Sequence, residues 1–426
     1  MFRGAGQACR RRWLHGLLIL AAPWSPMACG QPAALTWQQI REKFLATNPT
    51  LRAAQIGIEE SKAQEITAYL RPNPDMTTAI DQLTPFTGNP YQPLSSTLPL
   101  ISTSYLHERQ HKRELRQESA QKATAVAASQ LADQERNLLF SLRGAFVQAL
   151  QAKAVLALAQ ENLTYWDRVL ALSSDRFKAG DIAQIDLDRL ELQRVQFETD
   201  VLTATVNART AKIQLLALLN DRTAVEQFDV TGPFEFSEDL LPMEEFRRQA
   251  LETRPDLKAA VQAVDKAETD HKLAVANGST DPTFGVDVGV RNPPIPTYIG
   301  FSMSFPLRVF DRNQGEKART ELDIRRNQRL RDAAEAQVFS DVDSAYATLS
   351  NTLTLLRSYR SRYLQRAVNV RDTVAFSYQH GGASLLDFLN SQNDYRSVQL
   401  NYLNLIGSYL TAASQINLAV GREVIQ

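Results

Sequence analysis

The sequence predicts a mainly α-helical chain with a small β part, built as two repeats that each carry one long helical hairpin. Three observations lead there. First, "RFKAGDIAQIDLDRLELQ" (176–193) and "SYQHGGASLLDFLNSQND" (377–394) match in residue type: Phe177 with Tyr378, Gly180 with Gly381, Ile185 with Leu386, Asp186 with Asp387 and Leu187 with Phe388. Second, proline is absent between Pro99 and Pro233 and again after Pro306, leaving two long tracts of strong helix formers. Third, short proline-punctuated stretches ahead of each tract alternate apolar residues with small or polar ones.

The elements follow in chain order. Residues 1–30 read as a secretory leader: Arg3, Arg10, Arg11 and Arg12 make a basic start, Leu14 to Ala22 a short apolar core, and Ala28-Cys29-Gly30 a small-residue cleavage region. Arg11-Arg12 is weakly similar to a twin-arginine signal. Cys29 is a candidate for lipidation, although Pro26-Met27-Ala28 lacks the aliphatic residue expected ahead of an acylated cysteine. The first repeat then covers 31–230 and the second 231–426. Asn48-Pro49-Thr50-Leu51 and Arg254-Pro255-Asp256-Leu257 open matching helices with proline at the first helical position. Leu106–Lys178 keeps apolar residues at three- and four-residue spacing, as in Leu156, Leu163, Trp166 and Leu170, and predicts a helix of roughly 100 Å at about 1.5 Å per residue. Ala179-Gly180-Asp181 breaks it, and a return helix runs over Ala183–Leu219. Gly315–Gln379, His380-Gly381-Gly382 and Ser384–Ala419 repeat the arrangement.

Strands are predicted over Thr283–Val290 and Tyr298–Phe305, joined by a turn at 292–296, with a weaker pair at Asp75–Leu83 and Leu94–Tyr105. The alternation suits a membrane barrel strand and a half-buried strand of a soluble sheet equally. Closure favours the barrel only if copies combine. Four strands in lipid leave two edges of unpaired backbone groups at several kcal/mol each, and the smallest closed barrels have about eight strands. Several copies would therefore share one barrel, making an oligomeric outer-membrane tube.

Composition excludes other classes. Lysine plus arginine and aspartate plus glutamate balance at 47 each, so no electrostatic footprint for nucleic acid exists. Mean hydropathy is −0.29, and no apolar run after the leader approaches the ~20 residues of a spanning helix. Cys9 and Cys29 are the two cysteines, which leaves the rest without redox or zinc chemistry. His107-Glu108-Arg109-Gln110-His111 has the H-E-x-x-H spacing of a zinc protease helix. Arg109, Lys112 and Arg113 load it with charge, and the polar start of a long helix explains it better. No other catalytic constellation stands out, so no enzyme activity, metal or cofactor is expected.

The two turns with glycine six residues before aspartate (Gly180…Asp186, Gly381…Asp387), the leucine-rich helices behind them, the paired helix starts and Pro306-Leu307 resemble the TolC family of outer-membrane efflux channels over nearly the whole chain after the leader. "YLRPNPD" (69–75) further resembles the branch serving heavy-metal pumps of the resistance-nodulation-division class. The resemblance implies a homotrimer whose chains give four strands each to a shared twelve-stranded barrel above a helical periplasmic tunnel. It implies outer-membrane lipid, a periplasmic adaptor (membrane fusion) protein and an inner-membrane pump as partners, and heavy-metal cations or drugs as cargo in passive export. Position by position, Asp387 matches a pore-constriction aspartate, and Asn390 stands where a second is expected, which thins the charge ring. Asp186 and Tyr378 match a latch between hairpins whose arginine is replaced by Ala383. Gly180, Ile182, Ile185, Gly381, Leu385 and Leu386 match the adaptor-docking surface. From the residues alone, both glycines end helices whatever they bind, and both aspartates sit where helix N-termini favour negative charge. A secreted helical scaffold or adhesin, with its strands in a soluble sheet, is the alternative.

Overall fold

The computed structural model describes residues 34–81, 86, 97–290 and 297–425. The leader, Cys29, the 292–296 turn and the expected strand ends at Leu83 and Leu94 lie outside the described residues. Helix α1 (Trp37–Thr47) meets α2 (Pro49–Tyr69) at Asn48, whose Oδ1 accepts the Leu51 N–H at 3.1 Å and so caps α2. Strands β1 (Asp75–Asp81) and β2 (Leu98–Leu106) lead into α3 (Lys112–Ala179) and α4 (Gln184–Leu218). The second repeat gives α5 (Met243–Thr253), α6 (Pro255–Asn277), β3 (Thr283–Val290) and β4 (Thr297–Ser304). It continues with α7 (Gln314–Ser358), α8 (Leu364–Gln379) and α9 (Leu385–Val420). The tract expected as one helix over Gly315–Gln379 is one rod with a π-helical turn at Tyr359–Tyr363 between α7 and α8.

The strands of both repeats form one antiparallel sheet in the order β1-β2-β3-β4. Its register puts Ile101, Val288 and Ile299 in one row and Thr103, Val286 and Phe301 in the next, on the same face. Those large apolar side chains are exposed. The opposite face carries Ser102, Ser104, Gly285, Asp287, Gly300 and Ser302. Glycine is required at 289, where the Tyr298 ring lies over the backbone and a Cβ would come within 2.3 Å of it. An apolar exposed face backed by a small, polar one is the pattern of a barrel wall.

The long helices form a curved wall. Helix α3 packs along α2, α4, α6 and α9, α6 packs on α7, and α9 packs on α7 and α8. Helices α2 and α4 thus end up on one margin, and the α7–α8 rod on the other. Each repeat seats its short helix on its own hairpin. Ile40 and Phe44 of α1 pack with Phe146 and Leu215, while Phe246 of α5 packs with Val342, Leu349 and Ile416.

The helix expected from Leu106 starts later, at Lys112, because β2 runs through Leu106 and Gln110 and His111 adopt left-handed backbone conformations (φ 60° and 55°). The H-E-x-x-H residues therefore lie in a strand-to-helix connection, not on a helix, and Glu108 is taken up by Arg116. Lys112 pins this junction. It is buried, donating to Asp281 Oδ2 at 2.5 Å and to the Ser279 carbonyl at 3.0 Å, while Asp281 Oδ1 accepts the Arg109 N–H at 3.0 Å. Burial resists ionisation of Asp281, yet Lys112 and the Arg109 N–H hold its pKa below the ordinary carboxylate value.

Arg254, at the position matching Asn48, locks the second repeat. It is 4% exposed and pairs with Asp256 at 2.6 Å and Asp341 at 2.8 Å, bringing the starts of α6 and α7's mid-section together. Arg254→Ala leaves Asp256 and Asp341 short of their partner and opens space at the joint, so it is expected to cost on the order of 1–3 kcal/mol in denaturant unfolding followed by circular dichroism. Acid should act through Asp221. Hydrogen bonds from Lys43, and then from Thr223, lower its pKa from 3.8 to about 2. A depressed carboxylate stabilises the fold fully above its unfolded pKa and loses that contribution as pH falls toward about 2. Asp221→Asn should flatten the stability curve between about pH 4 and 2 relative to the unsubstituted protein.

Candidate functional site

Both hairpin turns close at the same kind of joint. Helix α3 ends on Gly180 (φ 84°), which donates to the Phe177 carbonyl at 2.9 Å, while Asp181 donates to the Arg176 carbonyl at 2.9 Å. Gly381 (φ 78°) plays the matching part, and Gly382 donates to the Ser377 carbonyl at 2.7 Å. Positive φ at both sites is where glycine avoids the Cβ penalty.

The return helices begin differently. At α9, Ser384 and Asp387 form a reciprocal capping box: Asp387 N–H donates to Ser384 Oγ at 3.1 Å, and Ser384 N–H and Oγ donate to Asp387 Oδ2 at 3.2 and 2.6 Å. These bonds lower the Asp387 pKa, and the carboxylate stays at the exposed surface. Asn390 is exposed one turn on. At α4, Ala183 occupies the cap without a side-chain bond, and Asp186 meets Arg189 of its own helix at 3.9 Å.

The residues matched to a latch are only partly brought together. Tyr378 stacks on Phe388, with ring centroids 4.9 Å apart, and the Arg176 guanidinium of the other hairpin lies 5.7 Å from the Tyr378 ring centre. Burial raises the Tyr378 pKa; Arg176 opposes that shift and Asp186 adds to it through its field. Arginine thus reaches the tyrosine from α3, while position 383 holds alanine. Of the docking residues, Ile185 and Leu386 are exposed and Ile182 is half-buried. Leu385 departs from expectation. It is 8% exposed and packs with Trp166, Leu190, Phe197 and Phe388, because Leu385 and Phe388, three residues apart, share the face of α9 turned to the first hairpin.

Sequence reasoning did not anticipate the column these residues form. Phe388 stacks on Trp166 (6.1 Å) and Trp166 on Phe197 (5.0 Å), and Arg396 lies 5.7 Å from the Phe197 ring centre while pairing with Asp200. Tyr378 and Phe388 come from the second hairpin and Trp166 and Phe197 from the first, so the Phe388–Trp166 contact joins the two. The signal available was the repeat alignment itself, which sets aromatic Phe388 against aliphatic Leu187.

Further along the wall, α3, α4 and α9 enclose a groove of about 680 Å³. Gln148, Gln151, Asn162, Asn207 and Gln214 set amide groups among Val155, Leu158 and Leu400 in its lining. At about 100° per residue, Gln148, Gln151 and Asn162 face away from the side of α3 on which Leu142 and Phe146 pack under α1.

Fold and tip together have the architecture of an outer-membrane channel protomer: a sheet with an apolar exposed face and two long helical hairpins. Comparison with known proteins points the same way. Residues 246–422 match the outer membrane efflux protein family. The chain is 23% identical over 405 residues to the cobalt-zinc-cadmium resistance protein CzcC of Cupriavidus metallidurans, covering 91% of this chain and 90% of that protein. It is 23% identical over 312 residues to the outer membrane efflux protein BepC of Brucella suis, covering 68% of this chain and 65% of that one. Among solved structures, CusC superposes with a TM-score of 0.77 at 16% identity, over 92% of this chain and 93% of that one. The open state of the Neisseria gonorrhoeae MtrE channel gives 0.73 at 18% identity, over 91% and 89%. The carboxy-terminal part of the chain thus matches the outer membrane efflux protein family, and nearly the whole chain shares the fold of solved outer-membrane channels. The scaffold or adhesin alternative finds no support.

The aromatic column generates a direct expectation. Phe388→Ala should cost about 3–5 kcal/mol, the usual range for deleting a buried ring. It should also shift the tryptophan emission of the folded protein to the red, with the shift absent in a Trp166→Phe background.

Proposed function

We propose that the chain works as a homotrimeric passive duct, whose hairpin turns form both the gate and the adaptor-docking ring, with transport energy supplied by an inner-membrane pump. The observation that carries the trimer is the pair of unfinished margins. Sheet edges β1 and β4 have no partner within the described residues. On the β1 side, α4 leaves Ile185, Leu192, Val195, Leu202, Val206 and Ile213 exposed. Their spacing of seven, three, seven, four and seven residues follows the a and d positions of heptads, which want a facing helix. On the β4 side the α7–α8 rod exposes Leu355, Tyr363, Val370 and Phe376. Margin against margin is a heterologous contact, and such contacts close into rings. Three copies with four strands each satisfy every sheet edge.

At the tip, exposed Ile185 and Leu386 with half-buried Ile182, set by the Gly180 and Gly381 turns, form the docking surface for the adaptor, and Leu385 supports it from beneath. Asp387 and Asn390 line the constriction. Because Ser384 holds only Oδ2 of Asp387, Oδ1 remains available to the pore, where a carboxylate ring favours cations. Arg176, Tyr378 and Asp186 hold the closed tip. CzcC is named for cobalt, zinc and cadmium resistance, and the likeness to it supports divalent heavy-metal cations as cargo, with a pump of the resistance-nodulation-division class as the driver.

Single-channel recording of the detergent-purified protein in planar bilayers tests this reading. A small, cation-leaning conductance is expected, and Asp387→Ala should move the reversal potential in a salt gradient toward zero. An unchanged reversal potential would remove Asp387 from the pore. Protein that stays soluble and monomeric without detergent would remove the duct.

A further inference from the structure

The apolar face of the sheet continues past the end of the sheet. Along β4, Ile299, Phe301 and Met303 lie on the face of Val288, Val286 and Phe284. The same alternation runs on beyond Ser304 through Phe305, Leu307 and Val309, and Phe310 ends it at 91% exposed. This stretch has no strand partner, yet it is held in place. Thr280 Oγ1 donates to the Pro306 carbonyl at 3.4 Å, Val309 N–H to the Leu307 carbonyl at 2.9 Å, and Gln314 Nε2 to the Phe310 carbonyl at 3.2 Å. Asp311 Oδ1 accepts the Asn313 N–H at 2.8 Å and closes the turn into α7. Arg308 points the other way. It is partly buried, its field contributes to lowering the pKa of Asp281, and its Nε has no hydrogen-bond partner. An ordered segment therefore presents large apolar side chains outward at the height where sheet gives way to helix.

We propose that residues 305–310 are a membrane foot, with Leu307, Val309 and Phe310 entering the headgroup–acyl boundary of the phospholipid leaflet that faces the periplasm. The proposal rests on the barrel reading of the sheet and goes beyond it. Three observations select lipid as the occupant. The foot is continuous with the exposed apolar face that the barrel turns to lipid. Strand side chains leave the sheet perpendicular to its plane, whereas a neighbouring copy adds to the β4 edge within the plane, so joining copies leaves this face open. Finally, exposed Arg312 follows the apolar side chains in sequence; aromatic and aliphatic side chains beside an exposed arginine suit the membrane interface.

The test places tryptophan as a depth probe. Phe310→Trp and Leu307→Trp are made singly in the full chain, with Phe301→Trp as the sheet control, and each protein is reconstituted into phospholipid vesicles brominated near the headgroup. The emission of the unsubstituted protein is subtracted. The foot predicts that most emission from positions 307 and 310 is lost to bromine and little to aqueous acrylamide. Quenching of both by acrylamide alone overturns the foot and puts them in water. Quenching by neither also overturns it, because a second copy must then cover them. If position 301 is quenched by lipid while 310 is not, the foot fails and the barrel stands; if 301 is reached by acrylamide alone, the barrel reading fails with it.

Discussion

Unpaired backbone on the two outer strands is the constraint from which the rest of the molecule follows. Each N–H and C=O left without a partner in hydrocarbon costs several kcal/mol, and β1 and β4 each present a row of them. In the proposed duct the chain is an arc, completed where its margins meet those of other copies. The helices obey the same rule in a milder form. Core residues concentrate under α1, under α5 and at the hairpin tips, while α4 keeps a heptad stripe outside. A chain that buried all its apolar surface alone could not close a ring.

The two halves of that arc repeat one order of elements but carry different locks. Asn48 caps α2 with one side-chain bond, whereas Arg254 at the matching start is buried between two carboxylates. Ala183 leaves α4 without a side-chain cap, whereas Ser384 and Asp387 hold the start of α9 from both directions. Leu187 became Phe388 across the repeat, and with it came a stack joining hairpins that the backbone alone would leave independent.

Much of this was legible in residue order, for reasons that lie in short-range chemistry. The breaks at Gly180 and Gly381 announce themselves because a left-handed joint in a run of helix formers wants glycine. The strands at Thr283–Val290 and Thr297–Ser304 show through their period of two. The start of α3 was less legible, since whether 107–111 is helical depends on Asp281, which is distant in sequence and anchors Lys112 and the Arg109 N–H. The burial of Leu385 depends likewise on Trp166 and Phe197 from the other hairpin. Alignment with a family's turn names the positions at the tip, but which of them point outward is decided by packing that no local pattern encodes.

The π-helical turn at Tyr359–Tyr363 has a geometric consequence for the whole wall. One residue beyond the α-helical repeat rotates everything after it by about 100° about the axis. Above this turn the rod packs against α5, α6 and α9; below it, chiefly against α9. The first hairpin covers the same span with an unbroken α3. The second hairpin thus works as a phase shifter, letting one continuous rod keep a buried side toward its neighbours at two heights where those neighbours stand at different bearings.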